Sequence, residues 1–126
     1  MSKYGNVAIL AAKRARSGQE PASAWKQSAE EIFRGKPESQ KKGCPRNAFL
    51  GLAEEGLIRG VASGKYTNSK DNKRYALEGL KFLNKCPEAA EYPKMMWDKI
   101  MDGKIKSHNE QMFVVAALWK NGDIEK

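Results

Sequence analysis

Apolar residues recur at helical spacing in six places along the chain, and nowhere do they alternate over four or more residues as a half-buried strand requires. The densest arrangement lies at Gly43–Ile58. Pro45 suits a first helical position, Phe49, Leu52 and Ala53 share one face, and Gly56 is placed to end the helix with Leu57 folded back on its last turn. Before it, residues 3–17 carry a small-residue face of Val7, Ala8, Ala11 and Ala15, which lets a neighbouring helix approach closely, with Gly18 as the stop. A second helix opens at Pro21 and is bracketed by Glu20 and Gly35. Its stripe of Trp25, Ala29, Ile32 and Phe33 reads as core.

Beyond Gly56 the spacing of Gly60 and Gly64 argues against a long helix. Leu57, Ile58 and Val61 suit one helical turn or a short extended piece pinned to the core. Thr67, Asn68 and Ser69 offer N-caps for a helix to about Lys85. The wide apolar face of that helix predicts a central place in the core, and Gly79 a close crossing. Pro87 ends it. Pro93 begins a helix with Met96, Trp97, Ile100 and Met101 on one face. Ser107 and Glu110 match a capping box before a dense apolar run from Met112 to Trp119 that predicts a largely buried helix. Both Ile58 and Ile124 stand two residues past a helix-ending glycine, a shared ending too short to be an internal repeat. The expectation is an all-α domain of about six helices packed orthogonally over residues 1–126. A helix, a glycine turn and a second helix in its middle resemble a helix-turn-helix, although the stretch from Gly56 to Thr67 exceeds that motif's turn of about three or four residues.

Composition narrows the function classes. A chain of 126 residues fits one domain. No apolar run approaches the roughly 20 residues of a membrane span, and Met1–Tyr4 does not begin a secretory signal, so a soluble cytoplasmic protein without a membrane partner is expected. Cys44 and Cys86 read as free thiols in that setting, and Cys44, just before a helix start, reads as a small half-buried residue. One histidine and two separated cysteines make no metal pattern. Neither a phosphate-binding loop nor a dinucleotide fingerprint is present, so no cofactor is expected. His108 lies inside the capping box and reads as structural. Glu54 and Glu55, like Glu30 and Glu31, are adjacent on a helix and diverge by about 100°, so they form no acid–base pair. No catalytic residue is assigned. A cofactor-free enzyme built from carboxylates far apart in sequence stays open.

The net charge of +8 changes the picture, because it permits long-range attraction to polyanions. Lys13, Arg14 and Arg16 suit the C-terminal end of their helix. The connector 34–46 is basic and rich in proline and glycine, and from Arg59 to Arg74 five cations face Asp71 alone, with Tyr66 and Tyr75 interleaved. N–H groups at Thr67–Ser69 add an anion cradle. The candidate anion or nucleic-acid residues are Arg46, Arg59, Lys65, Lys70, Lys73 and Arg74. The alternative is protein interaction or self-association through an apolar helix face, using Met95, Met96, Trp97 and Met101, or Trp119.

The segments Lys3–Gly5, Gly43–Leu52, Gly64–Thr67 and Asn109–Trp119 resemble those of a small family of bacterial proteins of unknown function. That resemblance spans nearly the whole chain and implies one intact domain. It implies no activity and adds no catalytic residue. The resulting expectation is a non-enzymatic binding module with a basic surface, nucleic acid being the favoured polyanion.

Overall fold

The last long helix is apolar on every side, and four of the other five long helices pack against it. The computed structural model describes residues 2–125. In chain order its helices are α1 (Lys3–Arg16), α2 (Pro21–Ile32), the single turn α3 (Pro37–Gln40), α4 (Gly43–Glu54), α5 (Lys70–Lys85), a 3-10 turn (Pro87–Glu91), α6 (Pro93–Met101) and α7 (Gln111–Lys120). The six longer helices are those read from the sequence; α3 is an extra turn inside the basic connector. No strand occurs among the described residues, and no helix there is long and apolar enough to cross a membrane.

Met112, Val114, Val115 and Leu118 on α7 are fully buried, and α1, α4, α5, α6 and the 3-10 turn all touch that helix. A helix apolar all round has no stable place except inside. The 70–85 helix, expected to be central, packs on α4, α6, α7 and the 3-10 turn, and α7 is the helix most enclosed. In α5 only Tyr75, Ala76, Gly79, Leu80 and Leu83 are buried, because charges at Lys70, Arg74, Glu78, Lys81 and Lys85 need water on the opposite side.

Two crossings rest on glycine. A Cβ on Gly51 of α4 would lie 2.8 Å from the Lys73 Cα and Cβ of α5, and one on Gly79 of α5 would lie 2.8 Å from the Met112 sulfur. The second is the close crossing read from the sequence.

Helices α4 and α7 end alike. The Leu57 N–H donates to the Leu52 carbonyl at 3.0 Å and the Asp123 N–H to the Leu118 carbonyl at 2.9 Å, each past a glycine in the left-handed region. The two endings then pair with one another. Ile58 and Ile124 form an antiparallel bridge, with the Arg59 N–H on the Asp123 carbonyl at 2.7 Å and the Glu125 N–H on the Leu57 carbonyl at 2.8 Å. The extended alternative for Leu57–Ile58 is thus the one that forms. The α1 side closes it: Arg16 donates to the Arg59 carbonyl at 3.1 Å and meets buried Asp123 at 3.0 Å, while Arg14 pairs with Glu31 at 2.7 Å.

At the other end of α7 the expected capping box does not form. The helix starts at Gln111, so Glu110 is its N-cap, in left-handed backbone at φ +72°, rather than the third helical residue. His108 caps instead, its Nε2 accepting the Met112 N–H at 3.0 Å. The shift follows from Gln111, which is buried and must find partners. Its Nε2 donates to Asn72 Oδ1 on α5 at 3.0 Å, and its Oε1 accepts the Asn109 N–H at 2.8 Å.

The Gly51→Ala variant is expected to lose about 1–3 kcal/mol of stability, because the obstruction is backbone. Gly79→Ala is expected to be nearly neutral, since a methionine side chain yields and alanine gains about 1 kcal/mol in helix propensity. Urea midpoints of the two variants check this order, and a Gly79→Ala loss as large as that of Gly51→Ala would refute it.

Candidate functional site

The long connection 55–69 between α4 and α5 is organised by one carboxylate. Glu54 Oε1 accepts the backbone N–H groups of Tyr66 at 2.8 Å and Thr67 at 3.1 Å, and its Oε2 meets Lys73 Nζ at 2.7 Å. Lys73 also meets Glu55 at 2.6 Å. The Lys73 ammonium first, and the Thr67 and Tyr66 amides next, hold Glu54 down to about 2. The two glutamates in turn push Lys73 upward, Glu54 most. The Ser69 N–H goes to Thr67 Oγ1 at 3.0 Å, and that hydroxyl donates to Asn47 Oδ1 on α4 at 2.8 Å. The Thr67 and Ser69 amides, which the sequence offers as an anion cradle, are therefore engaged internally.

The six candidate cations have different surroundings. Lys73 is bound to its two glutamates. Arg59 is exposed beyond α4 with its backbone in the bridge, and Lys65 is exposed in the connection. Arg46 on α4 lines a separate cavity beside α2. Lys70 and Arg74 share the solvated stripe of α5, which continues through Glu78, Lys81 and Lys85. On the apolar alternative, Met96, Trp97 and Met101 are buried in the protein's own core and Trp119 is half-buried.

The α5 stripe forms one wall of a groove. Two cavities of about 490 and 300 Å³ run into one another between α5 and the chain of α6 and just beyond, sharing Glu78, Ile100 and Asp102. Arg74, Lys81 and Lys85 stand on the α5 side; Lys99, Lys104 and Lys106 stand opposite. Against these six cations the lining offers two acids, Glu78 and Asp102. Arg74 lies 3.6 Å from Asp71, and the other five have no ion pair among the described residues. Tyr75, Phe82 and Ile100 belong to the floor. The Arg74 guanidinium and the Lys106 ammonium sit 5.3 and 5.5 Å from the Tyr75 ring centre.

The far wall is held by aromatic packing. The Trp97 indole N–H donates to the Lys106 carbonyl at 2.8 Å, and its ring meets Tyr75 edge-on at 5.0 Å and His108 at 5.1 Å. Burial first, and the Lys94 and Lys42 charges after it, lower His108 to about 4, so it is neutral at pH 7 and free to accept its helix-capping hydrogen bond. Sequence reasoning missed Lys81, Lys85, Lys99, Lys104 and Lys106. The first two continue the Lys70–Arg74 stripe at helical spacing and were legible there. The last three join it only through the packing of α6 on α5.

Among the described residues no group of three or more His, Cys, Asp or Glu side chains is placed to hold a metal ion, and Cys44 and Cys86 are free and half-buried. The family model for DUF6979, a family of unknown function, matches residues 1–125. The chain belongs to that family. No curated protein and no solved structure matches it. Membership in a family of unknown function assigns no activity.

Glu54 and His108 are both shifted below their ordinary values. Glu54, lowered from 4.5 to about 2, contributes stability present above its unfolded value and lost as pH falls between the two. The stability gap between the protein and its Glu54→Gln variant is accordingly expected to close from pH 4.5 towards 2 in urea titrations; a constant gap would contradict these hydrogen bonds. His108 is the only histidine, so its proton NMR titration is directly readable, with a midpoint expected near 4. A midpoint at the ordinary 6.5 would mean the imidazole is not buried as described.

Proposed function

We propose that this protein is a nucleic-acid-binding module that takes a single strand along the groove between α5 and the α6–α7 connection. The observation that carries the reading is the placement of cations with few acids on both walls, Arg74, Lys81 and Lys85 facing Lys99, Lys104 and Lys106, above a floor that includes Tyr75 and Phe82. A chain of phosphates is matched by a row of cations along a channel, and bases are matched by apolar and aromatic surface between the rows. Lysine ammonium groups, which make up five of the six cations, meet phosphates as point charges and favour backbone contact over sequence readout. Of the residues singled out in the sequence, Arg74 lines this groove and Lys70 lies one turn before it on α5. Lys73 supports it indirectly by fixing the start of α5 to α4 through Glu54 and Glu55.

Anisotropy titration of labelled single-stranded DNA and RNA, with duplexes in parallel, at low and at physiological salt tests the proposal. The Lys81→Glu/Lys106→Glu pair is expected to weaken binding at least tenfold and to reduce the salt slope by about 0.7 for each phosphate that is no longer neutralised. Lys13→Glu/Lys36→Glu makes the same change in net charge away from the groove and is expected to have a much smaller effect. Equal weakening by the two pairs would reduce the binding to generic attraction by the +8 charge and overturn the assignment.

A further inference from the structure

A second concave site lies between α2 and the start of α4 and shares no residue with the groove. It is a cavity of about 290 Å³, near the lower end of small-molecule pockets at roughly 300 Å³. Ala22, Trp25 and Leu50 supply its apolar part. Lys41, at the end of α3, and Arg46, in the first turns of α4, supply its charge. The same rim carries Glu30, but that carboxylate is already approached by Lys26 at 3.8 Å, and Gln40 is tied down by its hydrogen bond to the Phe33 carbonyl at 2.9 Å. The side chains of Lys41 and Arg46 have no hydrogen bond or ion pair among the described residues, although Arg46 is half-buried.

Trp25 adds a donor. It is 1% exposed, it lines this cavity, and its indole N–H has no acceptor among the described residues. Every fully enclosed side-chain polar atom among those residues has a partner, so this N–H is not fully enclosed. A ligand that covers it without an acceptor leaves a donor unsatisfied, which favours one that places an accepting atom beside it. Two uncommitted cations and one donor over an apolar surface select a negatively charged acceptor joined to an apolar body. A bare phosphate is the poorer fit, since covering Ala22, Trp25 and Leu50 with so strongly solvated an ion gains nothing from their burial.

We propose that this cavity is a binding site for a small free monocarboxylate with an aliphatic or aromatic body, its carboxylate held by Arg46 and Lys41 and its body lying on Trp25 and Leu50. The site is independent of the nucleic-acid groove and stands or falls separately from it.

Octanoate is the probe, followed through the Trp25 indole resonance in nitrogen–proton NMR spectra of the full chain. Saturable shifts are expected with octanoate, at least tenfold weaker ones with octanol, which lacks the charge, and with acetate, which lacks the body. Arg46→Gln and, separately, Lys41→Gln are expected to weaken octanoate tenfold or more while leaving octanol unchanged; using both keeps the test meaningful should either variant fold poorly. Octanol binding as tightly as octanoate would make the cavity a plain apolar void. Acetate binding equally well would make it surface charge attraction, and no saturable shift would remove the site. Each of these three results overturns the proposal.

Discussion

The enclosure of α7 is the constraint on which the rest depends. Met112, Val114, Val115 and Leu118 each gain about 1.5–3 kcal/mol from leaving water, whereas an exposed ion pair contributes about 0–1 kcal/mol. Packing of these four side chains therefore outweighs the surface pairs such as Lys26–Glu30 and Arg74–Asp71. Burial of this kind is not directional, so register comes from elsewhere. Gln111, buried at the first turn, has to satisfy its amide, and the partners it finds on Asn72 and Asn109 fix where α7 begins and how it meets α5. At the far end the paired endings at Ile58 and Ile124 lock α7 to α4 through backbone hydrogen bonds.

These anchors also sort the cations into two kinds. Arg14, Arg16 and Lys73 hold helices together through Glu31, Asp123, Glu54 and Glu55. Lys81, Lys85, Lys99, Lys104 and Lys106 stand in a groove with few acids, and Lys41 and Arg46 stand over an apolar cavity. Charge count alone does not separate these groups, because a lysine beside a glutamate and a lysine beside water have the same formal charge. Their surroundings do. Glu54 shows the point most directly: it occupies the amide donors of the 55–69 connection that an external anion would otherwise use.

The six long helices and most of their ends were legible because they depend on local signals: proline at the first positions, glycine past the ends, and apolar spacing between. The six long helices, the burial of the last of them and the crossing at Gly79 follow from such signals alone. The false capping box at Ser107 and Glu110 marks where local signals stop. A capping box is one competitor for the α7 amides, and a buried glutamine tied to Asn72, thirty-nine residues away, is a stronger one. The shared glycine–isoleucine endings were legible as a likeness, but only the meeting of α4 with α7 turned them into a pair.

The candidate site divides along the same line. By itself the sequence determined that the protein is helical, basic and without a recognisable catalytic constellation, because composition, period and motif spacing are properties of the chain. Tertiary structure decided which cations remain unpaired and which face one another. Lys99 and Lys106 come opposite Lys81 only because α6 packs on α5, and Lys73 leaves the candidate set only because Gly51 brings α4 close enough for Glu54 and Glu55 to reach it. Ion pairs and grooves depend on distances across several ångströms between segments far apart in sequence, and no local pattern encodes those distances.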